Sequence, residues 1–117
     1  MTTTEQITNV ATALGWSVET DASRPGFTEF EFRQYTPAGQ DFGFSVEMRN
    51  GDPDSLLQEL EKYYEAYDSD YEAYLWIVTD GHGKNGAPYH IKDIVSDMEA
   101  AEAMIDTLYE TLKTALK

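Results

Sequence analysis

The chain contains no cysteine, which excludes disulfide staples, thiol catalysis and cysteine-ligated zinc or iron–sulfur sites. Basic residues are scarce. Eight Lys and Arg stand against 22 Asp and Glu in 117 residues, a formal charge of −14. Such a balance disfavours direct contact with nucleic-acid phosphates or anionic lipid, because both would repel it. Long apolar runs are missing as well: the longest, Tyr74–Val78, falls far short of a membrane span. The first residues, Met-Thr-Thr-Thr-Glu-Gln, lack the basic and apolar regions of a secretory signal, so a soluble, cytoplasmic protein is expected. What is present suffices for a core. The chain is 41% hydrophobic and 13% aromatic, too rich for a wholly disordered acidic polypeptide, and its length suits one domain over residues 1–117.

Hydrophobic periodicity divides the chain into helical and extended parts. Thr2 and Glu5 have capping-box spacing, Ile7, Val10, Ala11 and Leu14 follow a helical stripe, and Gly15 supplies a left-handed stop. Alternation then takes over at Trp16–Thr20 and resumes after a turn at Asp21–Gly26. In Phe27–Tyr35, Phe30 and Phe32 lie opposite Glu29, Glu31 and Arg33. A Thr36-Pro-Ala-Gly39 turn leads to Asp41–Arg49, where Phe42, Phe44, Val46 and Met48 alternate with polar or small residues. Two such strands make a hairpin with one dry face and one wet face.

Asp52-Pro53 reads as an N-cap and first helical residue, followed by Leu56, Leu57, Leu60, Tyr63, Tyr64 and Tyr67 on one face. Asp68-Ser-Asp70 interrupts that pattern and is placed to cap a further helix carrying Tyr71, Tyr74, Leu75 and Val78. The same stretch has β-propensity at Tyr74–Thr79, so a fourth strand is the alternative. From Ile91 to Ala115 the stripe Ile91, Ile94, Met98, Ala101, Ile105, Leu108, Leu112, Ala115 marks a long helix. It suits a helix covering the sheet, with a coiled-coil seam and homodimer as the alternative. The expected class is α+β: an N-terminal helix, a three-stranded antiparallel meander, then two to three helices on one sheet face.

Recognisable chemistry is thin. Gly81-His-Gly-Lys-Asn-Gly86 matches the glycine spacing of a dinucleotide loop, but Pro88 intrudes before the helix and too little chain remains for a second βαβ unit. A phosphate-binding P-loop fails because Ala87 and Pro88 stand where Lys and Ser or Thr are required. The two histidines, His82 and His90, lie in that glycine-rich loop near Asp80 and Asp93 without a fixed ligand geometry. The acidic turn at Asn50–Asp54 lacks the twelfth-position Glu of a calcium loop. Carboxylates such as Glu59 and Glu61 are unavoidable neighbours in so acidic a chain. No metal, no cofactor and no enzymatic activity are expected.

Charge distribution says more. Residues 52–80 hold nine acids against Lys62 alone, a local −8, whereas 81–92 carry +2. From Asp93 to Glu110 come six acids and no base. Glu102, Asp106 and Glu110 repeat every four residues, about 6 Å apart along a helix axis. A charge run is ordinarily a solvated, solubilising face. It can also dock a basic partner, since spaced carboxylates imitate phosphates and exposed tyrosines stack on arginine. The candidate partner-binding residues are Glu61, Glu65, Asp68, Asp70, Glu72, Glu102, Asp106 and Glu110.

Two stretches, Phe32-Arg-Gln-Tyr-Thr-Pro-Ala-Gly-Gln-Asp-Phe-Gly-Phe44 and Tyr71-Glu-Ala-Tyr-Leu-Trp76 with Gly81-His-Gly-Lys-Asn-Gly-Ala-Pro-Tyr89, resemble a group of small acidic, uncharacterised proteins of gut bacteria and their phages or mobile elements. The group carries no assigned functional residues to transfer. What the resemblance implies is context, because mobile elements encode small acidic anti-restriction and anti-CRISPR inhibitors. The expected function is therefore a non-catalytic interaction module, in its sharpest form a DNA-mimicking inhibitor of a nuclease or other nucleic-acid-binding protein. The alternatives are a small ligand-binding or enzymatic domain using loop 80–90, and a homo-oligomeric structural domain.

Overall fold

A computed structural model describes residues 2–79 and 91–116. The element order is α1 (Thr3–Ala13), β1 (Ser17–Asp21), β2 (Phe27–Tyr35), β3 (Asp41–Arg49), α2 (Pro53–Ala66), α3 (Ser69–Thr79) and α4 (Ile91–Leu116). The α+β class and the antiparallel meander β1-β2-β3 stand as expected, with three helices following the sheet. Strand β1 is displaced by one residue from Trp16–Thr20, because Trp16 closes α1 instead, its N–H donating to the Ala11 carbonyl at 3.0 Å.

Local chemistry accounts for the boundaries. At the start of α1, Thr2 Oγ1 accepts from the Glu5 N–H at 3.1 Å while Glu5 reaches back to the Thr2 amide, the reciprocal capping box. After α1, Gly15 takes φ +96°, and Gln34 Nε2 donates to the Leu14 carbonyl at 3.2 Å. The left-handed backbone favours glycine here, and a Cβ, 2.4 Å from that Nε2, would push the Gln34 side chain off its bond to Leu14. Asp52 caps α2 with Pro53 behind it, and buried Ser55 accepts from the Arg49 N–H at 2.8 Å, tying β3 to α2.

The register places Val18, Phe32 and Phe44 side by side across the sheet, with Phe30 beside Val46. Their dry face meets α2, where Tyr63 stacks on Phe44 at 4.5 Å and Tyr67 stands edge-on to Phe42 at 6.1 Å. Behind them α4 packs against α1, α2 and α3. The dry strand face and the middle of the helical stripes are buried: Phe30, Phe32, Phe42, Phe44, Val46, Met48, Leu57, Leu60, Ile94, Met98, Ile105, Leu108 and Leu112. Trp16, Leu56, Tyr67 and Ala101 join them. Since the α4 stripe from Ile94 to Leu112 is spent inside the chain, those residues do not form a coiled-coil seam.

The stretch left between helix and strand folds as α3. Among its described side chains the buried one is Ala73, however, while Tyr71 and Tyr74 are each 58% exposed. Spacing alone treated these tyrosines as an apolar face. A phenol tolerates solvent, and α3 packs against α4 with Ala73 buried.

The turn between β2 and β3 is bolted to α4 by Asp97, which is only 4% exposed. Its Oδ2 accepts from the Thr36 hydroxyl and from Gln40 Nε2, and its Oδ1 accepts from the Ala38 N–H at 2.9 Å. Asp97 therefore leaves the row of surface acids in which its sequence neighbourhood put it. Three donors satisfy a carboxylate that would otherwise be costly to bury.

Candidate functional site: an acidic seam between two helices

Helices α2 and α4 pack side by side, each with one flank turned to the core. The next positions around both helices then meet at the surface. From α2 come Glu61, Tyr64 and Glu65, and from α4 come Glu102, Asp106, Tyr109 and Glu110. The Tyr109 hydroxyl crosses the gap to donate to Glu61 Oε2 at 2.6 Å. This bond ties the two rows at one point. It also pushes the Tyr109 phenol up to about 12: the hydrogen bond to Glu61 is the leading cause, followed by partial burial and the charges of Glu61, Glu110 and Glu65. Tyr64 is raised too, chiefly by Asp106, then by burial and by Glu102 and Glu110. Carboxylates of the facing helix thus contribute to raising both phenols.

Five of the eight predicted residues are thus brought together: Glu61, Glu65, Glu102, Asp106 and Glu110. Glu61, Glu65 and Glu110 are exposed, and Glu102 and Asp106 are half-exposed. Cations near the seam are few. Lys113 lies 5.8 Å above the Tyr109 ring at one end, and Lys62 pairs with Glu59 at 3.7 Å.

The other three predicted residues have different positions. Asp68 works as the cap of α3, its Oδ1 accepting from the Asp70 N–H at 3.0 Å and the Tyr71 N–H at 3.4 Å. Asp70 is exposed in the first turn of α3, where a carboxylate favours the helix dipole. Glu72 turns inward beside Tyr63 and Tyr67. Its carboxyl is raised above the usual range by burial first and by Asp68 second. Buried Tyr67 donates its hydroxyl to the Met98 carbonyl at 3.0 Å, and its phenol is raised by burial first, then by Glu72, Tyr63 and Glu102.

The tyrosines of the acidic block therefore sort into three environments. Tyr63 and Tyr67 are packed on the sheet, Tyr64 lines the seam, and Tyr71 and Tyr74 face solvent. Spacing had missed Tyr109, whose link to Glu61 exists only once the helices are paired.

The open face of the sheet holds a second set of charges. Asp21, Glu29 and Glu47 are lateral neighbours, as are Glu19 and Glu31. Here the acids are interleaved with cations: Arg24 meets Glu47 at 2.6 Å, and Arg33 reaches Glu31 at 2.8 Å and Asp41 at 3.4 Å. The seam is the less compensated of the two surfaces.

Among the described residues, no three His, Cys, Asp or Glu side chains cluster as metal ligands, and no helix is long and apolar enough to cross a membrane. The glycine-rich loop 80–90, with His82 and His90, lies outside the described residues. In comparisons with known proteins, no family model matches the chain, nor does any curated protein or solved structure.

Proposed function

We propose that the protein is a non-catalytic interaction module that docks a basic protein surface on the α2–α4 seam, acting as a DNA-mimicking inhibitor of a nuclease or other nucleic-acid-handling protein. The observation that carries the reading is the convergence of Glu61 and Glu65 with Glu102, Asp106 and Glu110 around Tyr64 and Tyr109. Two helices are needed to build it, and among the described residues the cations noted near it are Lys113, over the Tyr109 ring, and Lys62, which pairs with Glu59. Parallel rows of carboxylates can meet arginines and lysines that ordinarily meet phosphates, and the phenol faces can take a guanidinium. The rate of encounter with such a partner would gain most, because steering follows the charge of the whole chain.

A paired affinity capture tests this. The wild-type chain and a Glu102→Gln/Asp106→Asn/Glu110→Gln variant are immobilised side by side at low salt, and retained proteins are identified by mass spectrometry. The wild type is expected to retain a nucleic-acid-binding protein that free duplex DNA displaces, and the variant to lose it. Equal retention by both, or release that ignores DNA, would remove the reading.

A further inference from the structure

We draw no further inference here: the strongest candidate outside the acidic seam, the buried Thr36–Gln40–Asp97 cluster beneath the β2–β3 turn, already serves to dock that turn on α4, and although Gln40 Oε1 has no hydrogen-bond partner among the described residues, nothing in the structure shows a ligand that it faces.

Discussion

At the scale of single residues, Asp97 separates acids that build the fold from acids that coat it. Its carboxylate satisfies the Thr36 hydroxyl, the Ala38 amide and the Gln40 side-chain amide in a buried setting. Asp97→Ala would strand those donors, each at a cost of about 1–3 kcal/mol. A loss of roughly 3 kcal/mol in urea unfolding is expected, with less for Asp97→Asn, which keeps one acceptor oxygen. A loss within the ±0.5 kcal/mol typical of surface changes would contradict the assignment.

Tyr63 and Tyr67 make a second prediction at this scale. Burial first, and the Glu72 charge second, push the Tyr63 phenol up to about 12 and raise Tyr67 as well. An unfolded tyrosine ionises near about 10. The folded state therefore holds protons that the unfolded state releases. Their contribution to stability is intact below about pH 10 and is lost as pH rises through about 12. An ultraviolet titration should show a late group of tyrosines ionising together with the collapse of near-ultraviolet dichroism. If every tyrosine ionised near pH 10 while the dichroism persisted, the packing of Tyr63 on Phe44 would be wrong.

At the scale of elements, the hairpin was the most legible feature. Clean alternation on both sides of a Pro-Ala-Gly turn gave β2 and β3 their full extents. Helix α3 was legible in neither type nor orientation: β-propensity at Tyr74–Thr79 left a strand open, and tyrosines at helical spacing do not reveal which side they turn to water. Asp97 was hidden inside a run of acids, yet a signal existed. It falls on the apolar stripe, three residues after Ile94 and four before Ala101, so a charge there points inward. Thr36 and Gln40 share the inward parity of Phe32 and Phe42, which makes them its natural partners.

The acidic row on α4 carries its own energetic consequence. Glu102 and Asp106, and Asp106 and Glu110, are like-charge i,i+4 pairs, each destabilising a helix by about 0.2–0.5 kcal/mol. Neutralising all three with Gln, Asn and Gln should raise the melting temperature slightly and weaken its dependence on salt. A clear drop in melting temperature would show that these carboxylates hold the fold instead of coating it.

At the scale of the whole molecule, the net charge of −14 resolves into two unlike surfaces. On the open sheet face, arginines are threaded among the acids. On the helical side, the acids of two segments far apart in sequence converge on shared tyrosines. The spacing within each segment could be read from the sequence. Which rows face each other could not, since it depends on how α2 lies along α4, two helices whose Leu57, Leu60, Ile105 and Leu108 share one buried core.

The most direct measurement is the salt dependence of affinity for the captured partner, by titration calorimetry, for three proteins: the wild type, the seam variant Glu102→Gln/Asp106→Asn/Glu110→Gln, and a sheet-face variant Glu19→Gln/Glu29→Gln/Glu31→Gln. All three determinations hold the partner constant, and the two variants lose the same charge. Docking through the seam predicts that the seam variant binds more weakly with a shallower slope of log affinity against log salt, while the sheet-face variant stays close to wild type. Equal losses in both variants would mean that bulk charge, and not the α2–α4 seam, governs binding.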